Sequence, residues 1–112
     1  MQKLRCAFKV VDNLLLMKVV EQPDSFPLRG VFGSGDFLLE RGNDPNHRMT
    51  YLWARGTNKT SLLGFRTGAC DCKSREEAER FCLGFKALIH AYNKSRQNES
   101  PLFELDDWEV AE

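Results

Sequence analysis

The chain has 112 residues, 42% of them hydrophobic and 11% aromatic, which excludes an intrinsically disordered protein and supplies one domain with a core of useful size. Its net charge of zero hides a partition: all 16 Lys and Arg lie in 1–96 beside ten acids, a net +6, whereas 97–112 carry six acids and no base, a net −6. No apolar run is long enough to span a bilayer, and Lys3, Arg5 and Lys9 interrupt what a signal peptide would keep continuous. No membrane partner is therefore expected, and the expected setting is cytoplasmic, with Cys6, Cys70, Cys72 and Cys82 reduced.

Residues 3–11 alternate, with Leu4, Cys6, Phe8 and Val10 on one face and Lys3, Arg5, Ala7 and Lys9 on the other. This period of two predicts a half-buried strand. Asp12-Asn13 is a turn signal, and Leu14 to Val20, apolar on both faces except at Lys18, reads as a central strand paired with the first. Gln22 to Pro27 is a loop. Arg29–Phe32 and Phe37–Glu40 form a second predicted hairpin, folded at Gly33-Ser34-Gly35-Asp36. After the polar turn Gly42–Asn46, Met49, Tyr51 and Trp53 share one face of a strand running to Arg55. Gly56–Lys59 turns the chain into Ser61–Phe65, and a slip of phase near Gly68 suggests a bulge before Cys70–Cys72.

The helix is marked at both ends. Ser74 is an N-cap with Glu77 three residues on, the pattern of a capping box. Ala78, Phe81, Cys82, Phe85, Leu88, Ile89 and Tyr92 then recur at three- and four-residue steps as one apolar stripe. Acids crowd its start and Lys94 and Arg96 its end, which suits the helix dipole. Gly84 interrupts the helix at a cost of about 1 kcal/mol against Ala, which close approach to a sheet would explain.

A strand running into Ser74-Arg-Glu-Glu-Ala-Glu-Arg-Phe81 resembles the end of pleckstrin-like folds, whose closing helix often carries a Ser-x-Glu-Glu-Ala-x-x-Phe run. The resemblance implies architecture and carries over no binding site. A strand-rich front with a closing helix also fits a four-stranded-sheet nucleic-acid binder. The expected fold class is α+β: a twisted antiparallel sheet of five or six strands, covered by one helix from about Arg75 to Lys94. One globular domain, 1–94, would be followed by a linker and an acidic, aromatic-bearing tail, 95–112.

Chemistry-bearing patterns are sparse. Cys70 and Cys72 point the same way on a strand, and Cys82 lies on the helix. Structural zinc prefers pairs spaced by two to four residues on turns, so these read as small core residues and no cofactor or metal is expected. Neither His47 nor His90 is placed beside a Cys, and no nucleophile elbow exists. Asp71-Cys72-Lys73 with Glu77 imitates a metal-dependent nuclease, with Asp24, Asp36 or Asp44 as the upstream acid, but reads more simply as a solvated strand end. Gly33-Ser34-Gly35 lacks the Lys-Ser/Thr and the helix of a phosphate loop. An enzyme is not expected.

Binding is. In the tail, Phe103, Leu105 and Trp108 are apolar anchors among the steering acids Asp106, Asp107 and Glu109, and Ser100-Pro101 could open a short helix. The expected function is non-enzymatic engagement of a macromolecular partner, a protein in the first instance, as adaptor, assembly subunit or inhibitor. The tail's docking surface belongs to that partner or to the chain's own basic body. The alternative is a single-stranded nucleic-acid binder that uses Lys3, Arg5, Lys9, Tyr51, Trp53, Arg55 and Lys59 on a sheet face regulated by the tail. Single-strand binding proteins are similar to this in outline.

Overall fold

Alternating patterns and one amphipathic stripe assemble, in the computed structural model, into two sheets sharing a single helix. The structure describes residues 3–21, 30–41, 50–57, 60–63, 67–96 and 103–108. In chain order the strands are β1 (Leu4–Val11), β2 (Leu14–Glu21), β3 (Val31–Ser34), β4 (Phe37–Arg41), β5 (Thr50–Ala54), β6 (Thr60–Leu63) and β7 (Thr67–Asp71). The helix α1 (Arg75–Ser95) follows, and then β8 (Phe103–Leu105). The fold is α+β, with the helix packed on sheets that are antiparallel except where β8 runs parallel to β1.

Among the described residues, eight strands in two four-stranded sheets replace the five or six strands of one sheet that the sequence suggests. The first sheet has the order β7-β2-β1-β8 and the second the order β3-β4-β5-β6. Two short strands account for the difference in number. β7 pairs with β2 in unbroken register from Lys18↔Thr67 to Leu14↔Asp71, so no bulge exists at Gly68, which faces the fully buried Met17. The irregularity lies in β1 instead, between Arg5 and Cys6. β8 has three residues, too few to show a period of two, and it forms because the edge of β1 offers unpaired backbone groups.

The β1–β2 turn is tight. Asp12 adopts a φ of 52°, a left-handed conformation that Asp and Asn tolerate better than most residues. Asn13 then grips the chain just past the end of the neighbouring β7: its carbonyl accepts from Cys72 N at 2.9 Å, and its side-chain amide donates to Cys72 O at 2.8 Å. Between β3 and β4 the chain turns at Gly35, with φ +61°. The predicted turns at Gly42–Asn46 and Gln22–Pro27 lie outside the described residues.

The helix begins as its sequence indicates. Ser74 Oγ accepts from Glu77 N at 3.1 Å, and the Glu77 carboxylate reaches back to Lys73 N at 3.0 Å. Every residue of the predicted stripe is buried. The stripe touches both sheets: Phe85 stacks with Phe8 of the first at 6.5 Å and meets Phe37 of the second edge-on at 5.1 Å. Phe81 also meets Phe37, at 5.7 Å, and Tyr92 meets Phe32 at 5.3 Å. Two sheets and one helix thus share one core.

Gly84 sits where this packing is tightest. A Cβ there would lie 2.1 Å from the Phe37 ring, which Phe81 and Phe85 hold in place. Gly84→Ala gains about 1 kcal/mol of helix propensity. It meets an overpacking cost of about 1–3 kcal/mol, at the upper end for so close an approach. Thermal unfolding of Gly84→Ala should show a lower Tm than the parent, and Phe37→Leu in the same chain should recover part of the loss.

Candidate functional site

The alternation of β1 turns Arg5, Ala7 and Lys9 away from the helix. On β2 the residues opposite them are Glu21, facing Arg5, Lys18, facing Ala7, and Leu16, facing Lys9, so cations outnumber the one acid. This outward face of the first sheet is therefore cationic. Residues 103–108 lie along its edge and over it.

The pairing is backbone-led. Leu4, Arg5 and Cys6 stand beside Phe103, Glu104 and Leu105, and Asp106 N continues the ladder by donating to Cys6 O at 2.8 Å. On the other side, the last turns of α1 supply a side-chain clamp. Asn93 accepts from Phe103 N at 3.1 Å and donates to Phe103 O at 2.9 Å, so one amide satisfies both backbone groups of that residue. The Phe103 ring is buried and meets Tyr92 edge-on at 5.6 Å. Leu105 packs against the same core.

Charge complements this seat. Asp106 Oδ2 accepts from Arg5 Nη2 at 2.7 Å, and the Asp106 side chain is only 8% exposed. That bond, and the charge behind it, raise the Arg5 pKa above its ordinary value. Glu21 lies 3.5 Å from Arg5 on the opposite side. Lys3 and Glu104, both half-exposed, stand 3.6 Å apart, a separation worth little at a surface. The Trp108 ring lies 4.6 Å from the Lys18 ammonium and 5.8 Å from that of Lys9. Ala7, between those lysines and on the face turned from the helix, is 0% exposed.

Of the residues predicted to bind a partner, Phe103 and Leu105 are thus anchored in the chain's own body. Asp106 and Trp108 lie on its cationic face, and Asp107 is exposed. Glu109 lies outside the described residues. Of the predicted nucleic-acid contacts, Lys3, Arg5 and Lys9 come together on the first sheet. Tyr51 and Trp53 share a face of β5 in the second sheet, turned from the helix, and Arg55 is exposed just beyond. Lys59 lies outside the described residues. The basic strip and the aromatic pair therefore occupy different sheets. Asn93 and Tyr92 have no signal of their own in the sequence, where Tyr92 reads as one more stripe residue and Asn93 as a polar residue near the end of the helix.

All four cysteines are free and buried, with the Cys70 and Cys72 sulfurs 4.0 Å apart. Among the described residues no three His, Cys, Asp or Glu side chains are grouped to hold a metal ion. The Glu77 carboxylate is engaged at the helix start by Lys73 N, and of the three suggested upstream acids only Asp36 is described, in the β3–β4 turn. No helix among the described residues is long and apolar enough to cross a membrane. No known protein family matches the chain, nor does any curated protein or solved structure match it significantly.

Two outcomes follow from this geometry. Asn93→Ala removes the two hydrogen bonds from its amide to the Phe103 backbone, so urea unfolding should show a loss of about 1–3 kcal/mol. Burial, and secondarily the Asp106 charge, push the Cys6 thiol from 9.0 up to about 12. The unfolded chain then loses that proton first as pH rises. Stability should fall above about pH 9 by about 1.4 kcal/mol per unit and stop falling on this account near pH 12. Cys6→Ala should flatten the measured slope by one proton's worth.

Proposed function

We propose that this chain is a small, non-enzymatic binding module that engages a macromolecular partner through its acidic, aromatic C-terminal segment. The partner is a protein with a basic surface, and the module acts as adaptor, assembly subunit or inhibitor. One observation carries the reading: 103–108 is held as a docked peptide is held, by strand pairing, a buried aromatic anchor and a charge-assisted bond. Its outer side remains anionic. Asp107 is exposed and Glu104 half-exposed, and the sequence adds Glu109 and Glu112 beyond. Such a strip steers a cationic partner and fixes its register. The run from Ser74 to Phe81, ending a strand-rich chain, supports reading the architecture as pleckstrin-like. Four reduced thiols suit the cytoplasm.

A second reading rests on the cations beneath the segment. Lys3, Arg5, Lys9 and Lys18 line one face, and Trp108 stacks on two of them. With the segment lifted, that strip would meet the phosphates of a single-stranded nucleic acid, and the segment would act as its competitor.

Asp107→Lys with Trp108→Ala tests both readings. Neither residue belongs to the buried core, so circular dichroism should show a folded protein. Retention of co-purifying protein should fall by about tenfold or more. Undiminished retention sinks the protein-partner reading. A gain of salt-sensitive oligonucleotide binding in its place would favour the second reading.

A further inference from the structure

The structure shows the occupant of the β1 edge in detail, and most of what holds it would hold a peptide that was not covalently attached. We infer that this edge, together with the last turns of α1, is a strand-addition site. It accepts in trans an extended acidic peptide from a partner, running parallel to β1, with an aromatic residue at its first position and an Asp three residues later. The inference rests on the reading of 103–108 as a docking element. It goes further by assigning the receptor to the body of this same chain.

The contacts divide as they do in peptide recognition, where main-chain bonds hold and side-chain sockets select. The ladder with Leu4–Cys6, the bond from Asp106 N to Cys6 O and the two Asn93 bonds all address backbone groups that any extended peptide offers. Selection falls to three places. Tyr92 receives the Phe103 ring edge-on, with Leu4 beside it in register. Arg5 reads the Asp106 carboxylate at 2.7 Å. Lys18 and Lys9 present ammonium groups to the Trp108 ring. Glu104 and Asp107, whose side chains are exposed, are the positions the site does not read closely.

The strand itself is weak. Three residues of parallel pairing are shorter than the usual five or six, and an isolated strand of that length does not hold by its ladder alone. Side-chain capture supplies the rest, and side-chain capture does not require a covalent link. The attached copy has the advantage of effective concentration, in the millimolar range for a short flexible connection. A competing peptide gains access when that advantage is removed.

The experiment removes it without discarding any residue. A specific protease site is inserted between Gln97 and Pro101 of the full chain, and the folded protein is nicked there. The probe is a fluorescein-labelled synthetic peptide of residues 100–110. In the nicked protein the labelled peptide should exchange with the resident fragment and raise the anisotropy. In the uncut chain its apparent affinity should be weaker by about tenfold or more. A peptide with its Phe and Asp positions replaced by Ala should fail to bind, and Arg5→Glu in the body should weaken binding of the parent peptide. Should nicking unfold the protein, restoration of the native circular dichroism by excess peptide supports the site. Absence of restoration overturns it. The inference is also overturned if the nicked protein stays folded but shows no exchange up to about 1 mM peptide. That failure, with partner retention still lost in Asp107→Lys/Trp108→Ala, would remove the receptor edge and leave the proposed function standing.

Discussion

One helix has to cover two sheets, and the aromatic rings along α1 are what allow it. Phe85 touches Phe8 in the first sheet and Phe37 in the second, while Tyr92 spans Phe32 of the second and Phe103 of the first. Both sheets use this shared layer to bury their inner faces, because a sheet that is apolar on one side needs a partner for that side. Gly84 belongs to the same constraint. By omitting a Cβ, the helix lets the Phe37 ring come against its backbone, and the second sheet closes on the helix at the separation this permits.

The end of that layer is also where the C-terminal segment is received. Tyr92 contributes its ring to the core and to the Phe103 contact, and Asn93, next in the chain, turns its amide to the Phe103 backbone. Core and candidate site are therefore continuous, and the segment is seated by the same physics that folds the body. What distinguishes its outer half is charge. Asp106 lies nearly buried against Arg5, and Trp108 lies over Lys18 and Lys9. The charge partition is thus expressed within the molecule, as contacts between one sheet face and the segment laid across it.

Such an arrangement places two complementary surfaces in one chain, an anionic strip and the cationic face beneath it. Contacts in cis neutralise part of each, which lowers nonspecific electrostatic attraction. The Cys6 thiol records the same closeness from the inner side, since Asp106 adds to the burial that raises its pKa.

By itself the sequence determined the local elements whose signals are periodic or capped. The alternation at 3–11, the Asp12-Asn13 turn, the Ser74–Glu77 cap and each residue of the helix stripe appear as their spacing indicates, because side-chain period and end-capping are properties of short stretches of chain. The cationic face of β1 and the acidic, aromatic character of 103–108 were legible for the same reason. Only the tertiary structure decided that the strands divide into two sheets, that Tyr51 and Trp53 stand on a different sheet from Lys3, Arg5 and Lys9, and that 103–105 is a strand. A three-residue strand carries no period, and its state depends on an open edge of β1 and an amide at Asn93 that meet only once the helix has packed. Strand partners are chosen by burial and free backbone groups across the whole fold, which no local stretch of sequence encodes.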